Sequence, residues 1–395
     1  MDRILLVSHE LSVTGAPNSL LRQAKYMLEA GYDVDVWTFR DGPLRACYEE
    51  AGLPPKVIEE SRAGVEAALV PGTCAYNLAV CNTIRTYRAA DMLQWRGIPT
   101  VWFVRETRLL DEDHWMNPDF ARVFDGFGSL YTISDYNADV VRKYNSNVKV
   151  VHNAVPDTFH AFSSPTDHVR FGYIGSYVDW KGVDLLVEAF AEVRAVHPAV
   201  ELFLAGRPWT DWGVSLKAGC EGAPGVRWVG EVQGEEKERF FDSVDVLCVP
   251  SLDEPCGLVV LEGLMHGKPV ITTDHTGANY AVGPHCGRVV KAGSVTALAS
   301  AMSELCGLGS FAEMGRRARE SYLSCATPEL EREAVLRMVS ENAGHTPVVR
   351  AKPGRDDTPF FHEVRSMTGR RRFYLGGLKV FSFKGRGIRK RMEEC

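Results

Sequence analysis

Continuous apolar runs alternate with helix-period segments along most of this chain. Ile4–Val7 reads as a buried strand, and from Pro17 to Ala30 the apolar positions Leu20, Leu21, Ala24, Met27 and Leu28 recur at the spacing of one helix face. Pro17 suits the first turn of that helix and Gly31 supplies a left-handed stop. A second strand is predicted over Asp33–Phe39, so the chain opens as a βαβ unit. Shorter apolar strands are predicted at Thr100–Val104, Leu130–Ser134 and Val148–Val151, with Ser134 as the N-cap of a helix over Asp135–Tyr144. The pattern then restarts. Strand Phe171–Ile174, loop Gly175–Gly182 and helix Val183–Val196 lead to strands at Glu201–Ala205, Val226–Val229 and Val246–Val249, and helices over Leu298–Leu305 and Phe311–Tyr322 close the series.

Strands that alternate with helices predict an α/β class with parallel sheets. Two interruptions divide the chain: Pro156, Ser163, Ser164 and Pro165 fall in one polar segment, and residues 344–359 form another rich in Pro and Gly. The expected organisation is therefore a Rossmann-like domain over 1–160, a second over 168–345, and a tail over 346–395. At 395 residues with 45% hydrophobic and 24% charged positions, a two-domain globular protein is the expectation.

Composition narrows the class further. No window approaches eighteen uninterrupted apolar residues, and the short strand-like run Met1–Ser8 has no cleavage region, so a cytoplasmic protein is expected. Ten cysteines show no C-x-x-C and no Cys/His cluster at zinc spacing, so reduced thiols are expected and no structural metal. The net charge of −6 conceals an asymmetry, because residues 365–391 hold ten arginines and lysines and no acid, leaving −16 on the remainder. Aromatic residues interleave with these cations, a composition suited to an anionic membrane surface, where each cation contributes about 1 kcal/mol. A solvated tail is the plainer reading of the same residues. No nucleic-acid module is recognisable, and no nucleic-acid partner is expected.

The most informative stretch runs from Asp245 to Thr273. Its apolar strand stops at Pro250, a polar loop carries Glu254, and Gly257 precedes a helix face made by Leu258, Leu261, Leu264 and Met265. A glycine at a helix N-terminus, following a strand and loop, makes a site where backbone N–H groups and the helix dipole receive a phosphate. Glu262, roughly one and a half turns into the helix, would lie near the same mouth, where a carboxylate can accept hydrogen bonds from vicinal hydroxyls such as a ribose's. Taken singly, Glu254 also reads as a helix cap and Glu262 as a solvated helix residue.

This stretch resembles the E-x7-E motif of retaining GT-B glycosyltransferases, glycosyltransferase family 4 in particular. Pro250, Ser251, Glu254, Pro255, Gly257, Glu262, Gly267, Pro269, Val270 and Ile271 carry the match, with Gly263 where the family usually has alanine. The resemblance implies a GT-B architecture, α/β with two Rossmann-like domains facing a central cleft. It covers about residues 1–345 and is most specific in the second half. The loop Gly175–Gly182 resembles the family's G-R-x-x-x-x-K-G, which grips the donor diphosphate; Gly175, Lys181 and Gly182 match, but Ser176 stands where the arginine belongs. Arg207 and Arg105 are the candidate replacements. Thr14, Gly15 and Ala16 resemble the family's glycine-rich loop near the donor, although Gly15 also reads as a simple turn. At the end of the Thr100–Val104 strand, Arg105 and Glu106 stand where many members have a histidine followed by an acid that contacts the sugar. Arg105 serves phosphate or acceptor there, or pairs on the surface with Glu106 or Asp111.

The activity implied is transfer of a hexose from a nucleotide diphosphate sugar to a glycan or lipid-linked acceptor in bacterial surface polysaccharide synthesis, with retention of configuration and no metal or other cofactor. Lys181 would bind the diphosphate, the N–H groups of Gly257 and Leu258 the phosphate, Glu262 the ribose, and Glu254 the sugar hydroxyls or the cationic anomeric centre. Retaining members are generally read as front-face displacement, in which the leaving phosphate assists the incoming hydroxyl. The alternative is a degenerate GT-B protein that holds nucleotide sugar or a partner without turnover, for which Ser176 and Arg105 speak. A peripheral position on the inner membrane face follows from the basic tail.

Overall fold

The computed structural model describes residues 2–69, 76–162, 167–308 and 311–344, with the strand backbone of 361–365, 370–375 and 378–384. The segments expected as linkers at 163–165 and 346–359 lie outside the described residues.

The first part of the chain alternates β1 (Arg3–Ser8), α1 (Gly15–Glu29), β2 (Asp33–Thr38), α2 (Arg45–Glu50), β3 (Lys56–Val57), α3 (Arg62–Ala68), β4 (Leu78–Asn82), α4 (Tyr87–Trp95), β5 (Thr100–Phe103), α5 (Arg108–Met116), α6 (Pro118–Asp125), β6 (Leu130–Thr132), α7 (Asp135–Arg142) and β7 (Val148–Val150). The sheet order is β3-β2-β1-β4-β5-β6-β7, and the β1–β2, β1–β4, β2–β3 and β4–β5 pairings are parallel. The expected face of α1 is buried at Leu20, Leu21, Ala24 and Met27. The indole of Trp102 on β5 is enclosed edge-on by Phe120, Phe124 and Phe127 at 5.9, 5.5 and 5.2 Å.

The second series runs β8 (Arg170–Ile174), α8 (Val183–Val196), β9 (Glu201–Ala205), α9 (Asp211–Cys220), β10 (Val226–Gly230), α10 (Glu235–Ser243), β11 (Val246–Val249), α11 (Leu258–Met265), β12 (Val270–Thr273), β13 (Gly287–Val290), α12 (Val295–Cys306), α13 (Ala312–Cys325) and α14 (Pro328–Asn342). Its parallel sheet has the order β10-β9-β8-β11-β12-β13. The continuous apolar run of β11 follows from its being covered on both faces. Val246 and Cys248 join the core beneath α8 and α12, whereas Leu247 and Val249 join the core beneath α10, α11 and α13. The basic tail contains an antiparallel meander, β14 (Phe361–Arg365), β15 (Arg370–Leu375) and β16 (Leu378–Lys384).

Contacts divide the chain into two compact units, but not by a single cut: Met1–Leu130, Tyr144–Asn147 and Glu341–Cys395 form one, and Tyr131–Lys143 with Val148–Ser340 form the other. The described cysteines are free thiols. Among the described residues no helix is long and apolar enough to cross a membrane.

One buried ion network ties α3, α4 and α6 together. The Arg62 guanidinium, 4% exposed, donates to the Asp91 carboxylate at 3.0 and 2.8 Å and to Asp119 at 2.9 Å, and Arg122 reaches the same Asp91 oxygen at 2.9 Å. Removing one partner of a buried pair leaves a desolvated charge behind. Arg62→Ala is expected to destabilise the protein by about 3 kcal/mol, the low end of the usual range because Arg122 remains beside Asp91. Urea denaturation of the two proteins measures it.

Candidate functional site

The second sheet grows outward in one direction from β8 to β10 and resumes on the other side of β8 with β11. The crevice beyond the carboxyl ends of β8 and β11 is therefore its topological switch point, where doubly wound sheets bind ligands. Two loops meet there. The loop after β8 ends in a short 3-10 turn, Asp179–Lys181, and Gly182, whose φ of 65° only glycine adopts readily; a Cβ there would also meet the Pro250 carbonyl oxygen at 2.2 Å. The loop after β11 is tied to this turn by Leu252 N–H donating to the Trp180 carbonyl at 2.8 Å. The two loops thus bring the Lys181 ammonium into an ion pair with the Glu254 carboxylate.

Glu254 is fixed by its backbone as well. Its N–H donates to the His275 carbonyl at 3.0 Å, and its own carbonyl accepts from Gly277 N–H at 2.8 Å, so the loop runs as a one-rung extension beside Thr276. Gly257, φ 81°, is the N-cap of α11 and carries no side-chain cap; a Cβ there would meet Thr276 Cγ2 at 2.6 Å. Glu254 is therefore not the helix cap that a single-residue reading allows. It stands beside the helix N-terminus, where the first-turn N–H groups and the helix dipole favour an anion. Glu262, farther along α11, accepts from Lys237 of α10 at 2.6 Å. Each glutamate of the motif thus carries its own lysine.

A further set of contacts holds the Glu254 loop from the side of α7. Ser134 caps α7 by accepting from Asn137 N–H at 3.1 Å, and its hydroxyl donates to the Pro255 carbonyl at 2.6 Å. The Tyr136 hydroxyl donates to Asp253 at 2.8 Å, and its ring stacks on His275 with centroids 5.4 Å apart. The residues on either side of Glu254 are therefore both bonded to the first turn of one helix.

Two family descriptions match the chain: "Glycosyl-transferase family 4" over residues 2–152 and "Glycosyl transferases group 1" over residues 168–307. The chain belongs to glycosyltransferase family 4. Similar curated proteins include a D-inositol 3-phosphate glycosyltransferase of Stackebrandtia nassauensis, 31% identical over 152 residues, which are 36% of this chain and 34% of that protein. A glycogen synthase of Mycobacterium tuberculosis is 27% identical over 210 residues, 49% of this chain and 51% of the relative. The chain spans about half the length, or less, of these curated relatives. Among solved structures, the sucrose-phosphate synthase of Thermosynechococcus elongatus superposes with a TM-score of 0.71 at 17% identity, over 86% of this chain and 99% of that one. Anabaena Alr3699/HepE in complex with UDP gives 0.72 at 19% identity, over 86% and 100%. These likenesses show the GT-B fold, two Rossmann-like α/β domains.

In this family 4 chain Ser176 stands where the family's G-R-x-x-x-x-K-G pattern has arginine. Ser176 accepts the Tyr173 hydroxyl on its carbonyl at 2.9 Å. The Arg207 guanidinium lies 4.1 Å over the exposed Trp209 ring and 3.3 Å from Glu231, although its backbone runs beside the same loop through Tyr177 N–H to the Arg207 carbonyl at 3.0 Å. Gly15 is the first residue of α1, and a Cβ there would have nothing within 4 Å, so neither backbone strain nor close approach demands glycine.

Arg105 and Glu106 occupy the end of β5 in the first unit. The reading of Arg105 as half of a surface pair is corrected: it is 6% exposed, its Nε donates to Asn82 Oδ1 at 2.5 Å, and Asp111 accepts the Tyr144 hydroxyl at 2.8 Å. The Glu106 carboxylate accepts the backbone N–H groups of Arg105 and Ile84 at 2.9 and 3.1 Å, and burial pushes its carboxyl up to about 7. Lys237, Ser134, Tyr136, Asp253 and His275 are partners that sequence reading misses, since they meet the motif only through tertiary contacts.

Proposed function

We propose that this chain transfers a hexose from a nucleotide diphosphate sugar to a glycan or lipid-linked acceptor, with retention of anomeric configuration, in bacterial surface polysaccharide synthesis. The observation that carries the reading is the Lys181–Glu254 ion pair at the β8/β11 switch point, beside the glycine-capped N-terminus of α11. A donor diphosphate seated there would be met by Lys181 and the first N–H groups of α11. As the glycosidic bond breaks, charge grows on that leaving group, and cations and dipoles already in place lower the barrier. Drawn toward the diphosphate, Lys181 would release Glu254 to accept hydrogen bonds from sugar hydroxyls and to face the cationic anomeric centre. Glu262 with Lys237 would take the ribose, and Arg105 and Glu106 the acceptor side. The reading calls for no metal. Relatives support it in kind: Alr3699/HepE has been crystallised with UDP and with UDP-glucose.

The experiment is calorimetric titration with UDP, GDP, ADP and TDP sugars, alongside Lys181→Ala. One tightly bound nucleotide series, lost in the variant, is expected and would also name the base. Binding that survives the substitution unchanged would reject the assignment. Glu262→Ala is expected to weaken the bound donor at least tenfold, about 1.4 kcal/mol, in the same titration.

Arg207 engaged with Glu231 and Trp209, together with Ser176 in the diphosphate loop, favours a second reading, a family member that binds nucleotide sugar without turnover. Nucleotide release in the presence and absence of acceptor separates the two. The basic segment 365–391 fits a peripheral position on the inner face of a membrane, testable by flotation with vesicles containing anionic lipid.

A further inference from the structure

The second sheet has a cavity at its other end. It lies at the amino ends of the strands, where β9 begins at Glu201 and β10 at Val226, whereas the Lys181–Glu254 pair lies beyond the carboxyl ends. The five residues of β9 set the two places roughly 16 Å apart. The cavity's volume is about 460 Å³, within the usual range of small-molecule sites, about 300–1,000 Å³. Glycosyl transfer at the donor crevice gives it no role.

Cations outnumber acids in its wall. Arg194 from the last turn of α8, Arg227 from β10 and His168 ahead of β8 line it, and among the described residues lining it Glu201 is the one carboxylate. Both oxygens of Glu201 are already engaged: Oε2 lies 3.1 Å from His168 Nε2, and Oε1 accepts from Arg227 at 2.5 Å. Burial works to raise the Glu201 carboxyl pKa, but those two bonds outweigh it and hold the group below the usual carboxylate range. Arg194 is placed differently. Its Nη1 donates to the Val200 carbonyl at 2.6 Å, and among the described residues nothing else accepts from it and no carboxylate pairs with it. A guanidinium carries five N–H donors, so most of this one's remain for a ligand. The group is also seated on Gly225, φ 76°, where a Cβ would meet Arg194 Nη1, Cζ and Nε at 2.6, 2.9 and 3.1 Å. The fork is therefore fixed in place by a carbonyl and a glycine, while Arg227, 62% exposed, can turn from Glu201 to an incoming anion. The end of α8 carries about half a negative charge, which the Arg194 guanidinium exceeds.

We infer that this cavity binds a phosphomonoester or inorganic phosphate, with Arg194 as the fixed fork and Arg227 as the movable second cation. A planar guanidinium meets two phosphate oxygens at once, and a phosphate group carries close to two negative charges at neutral pH, which two guanidiniums match. The inference stands independently of the glycosyl-transfer reading.

The test is phosphorus NMR titration of the full chain with inorganic phosphate, glucose 1-phosphate and glucose 6-phosphate at constant ionic strength. Saturable binding of the phosphate group is expected. Arg194→Gln and Arg227→Gln are each expected to weaken it about tenfold or more. Arg227 is mostly exposed, so its variant is expected to melt normally and keeps the test valid should Arg194→Gln disturb the turn it braces. Glu201→Gln releases Arg227 and is expected to tighten binding several-fold, which a cluster that only braces the α8–β9 turn would not do. Lys181→Ala is expected to leave this binding unchanged. Inorganic phosphate bound as tightly as the esters would identify free phosphate as the ligand, and a preference of about tenfold for one ester would put its sugar inside the cavity; either result upholds the site. No saturable binding, unchanged affinity in both arginine variants, or weaker binding in Glu201→Gln would overturn it. So would binding lost in Lys181→Ala and kept in Arg194→Gln, which would place the anion in the donor crevice.

Discussion

Lys181→Ala is expected to lower kcat/KM by about two to three orders of magnitude, the effect of removing one preorganised charge from the group that stabilises a developing anion. With Ser176 in the place of the family's arginine, Lys181 is the cation of that loop that survives, so no second charge in the motif stands behind it. The loss should appear in donor affinity as well as in turnover, because the ground-state diphosphate is already anionic. It should not appear in stability. The pair is partly exposed, 25% at Lys181 and 14% at Glu254, and ion pairs of this kind contribute about 1 kcal/mol or less to folding. Parallel thermal melts and steady-state kinetics would therefore separate the two effects, and a variant that melts normally but transfers at the unmodified rate would refute the role.

Glu254→Gln is expected to act differently, reducing turnover about a hundredfold or more while changing donor affinity little. The amide keeps the size of the carboxylate and can still accept a hydrogen bond from a hydroxyl, but it no longer opposes positive charge at the anomeric carbon. Releasing Lys181 from its partner would, if anything, leave the ammonium more available to the diphosphate. Equal losses in binding and turnover would make Glu254 a binding residue only. The double variant adds a further check. If Lys181 and Glu254 act as one unit, their effects on kcat/KM fall short of additive by about 0.5–3 kcal/mol, whereas independent residues would add.

Much of the second unit was legible because its buried parallel strands are unbroken apolar runs and its turns are marked by glycine and proline. The strand over Val246–Val249 and the helix beginning after Gly257 fall where the pattern places them. The helix over Val183–Val196 does too. The first unit was less legible. β4, Leu78–Asn82, is buried at all five positions and central in its sheet, yet so short a run cannot be told by periodicity from a turn of buried helix. The partners of the motif were hidden for another reason. Lys237 lies 25 residues from Glu262, Tyr136 lies 117 from Asp253 and Ser134 lies 121 from Pro255, and no local rule connects such positions. Family resemblance identified which glutamates to examine; it did not identify what holds them.

The grouping of α7 with the second unit bears on how this chain can be divided and recombined. A fragment beginning at the polar segment near residue 163 would be cut from Ser134 and Tyr136, and its Glu254 loop would lose the bonds to Pro255 and Asp253. A chimera that exchanges the first halves of two relatives at that same point would import a foreign α7 into contact with a native loop. Modular exchange in this chain should therefore respect a discontinuous unit, with residues 131–143 travelling together with 148–340, and the compatibility of Ser134 and Tyr136 with the loop they grip decides which exchanges leave that loop held as it is here.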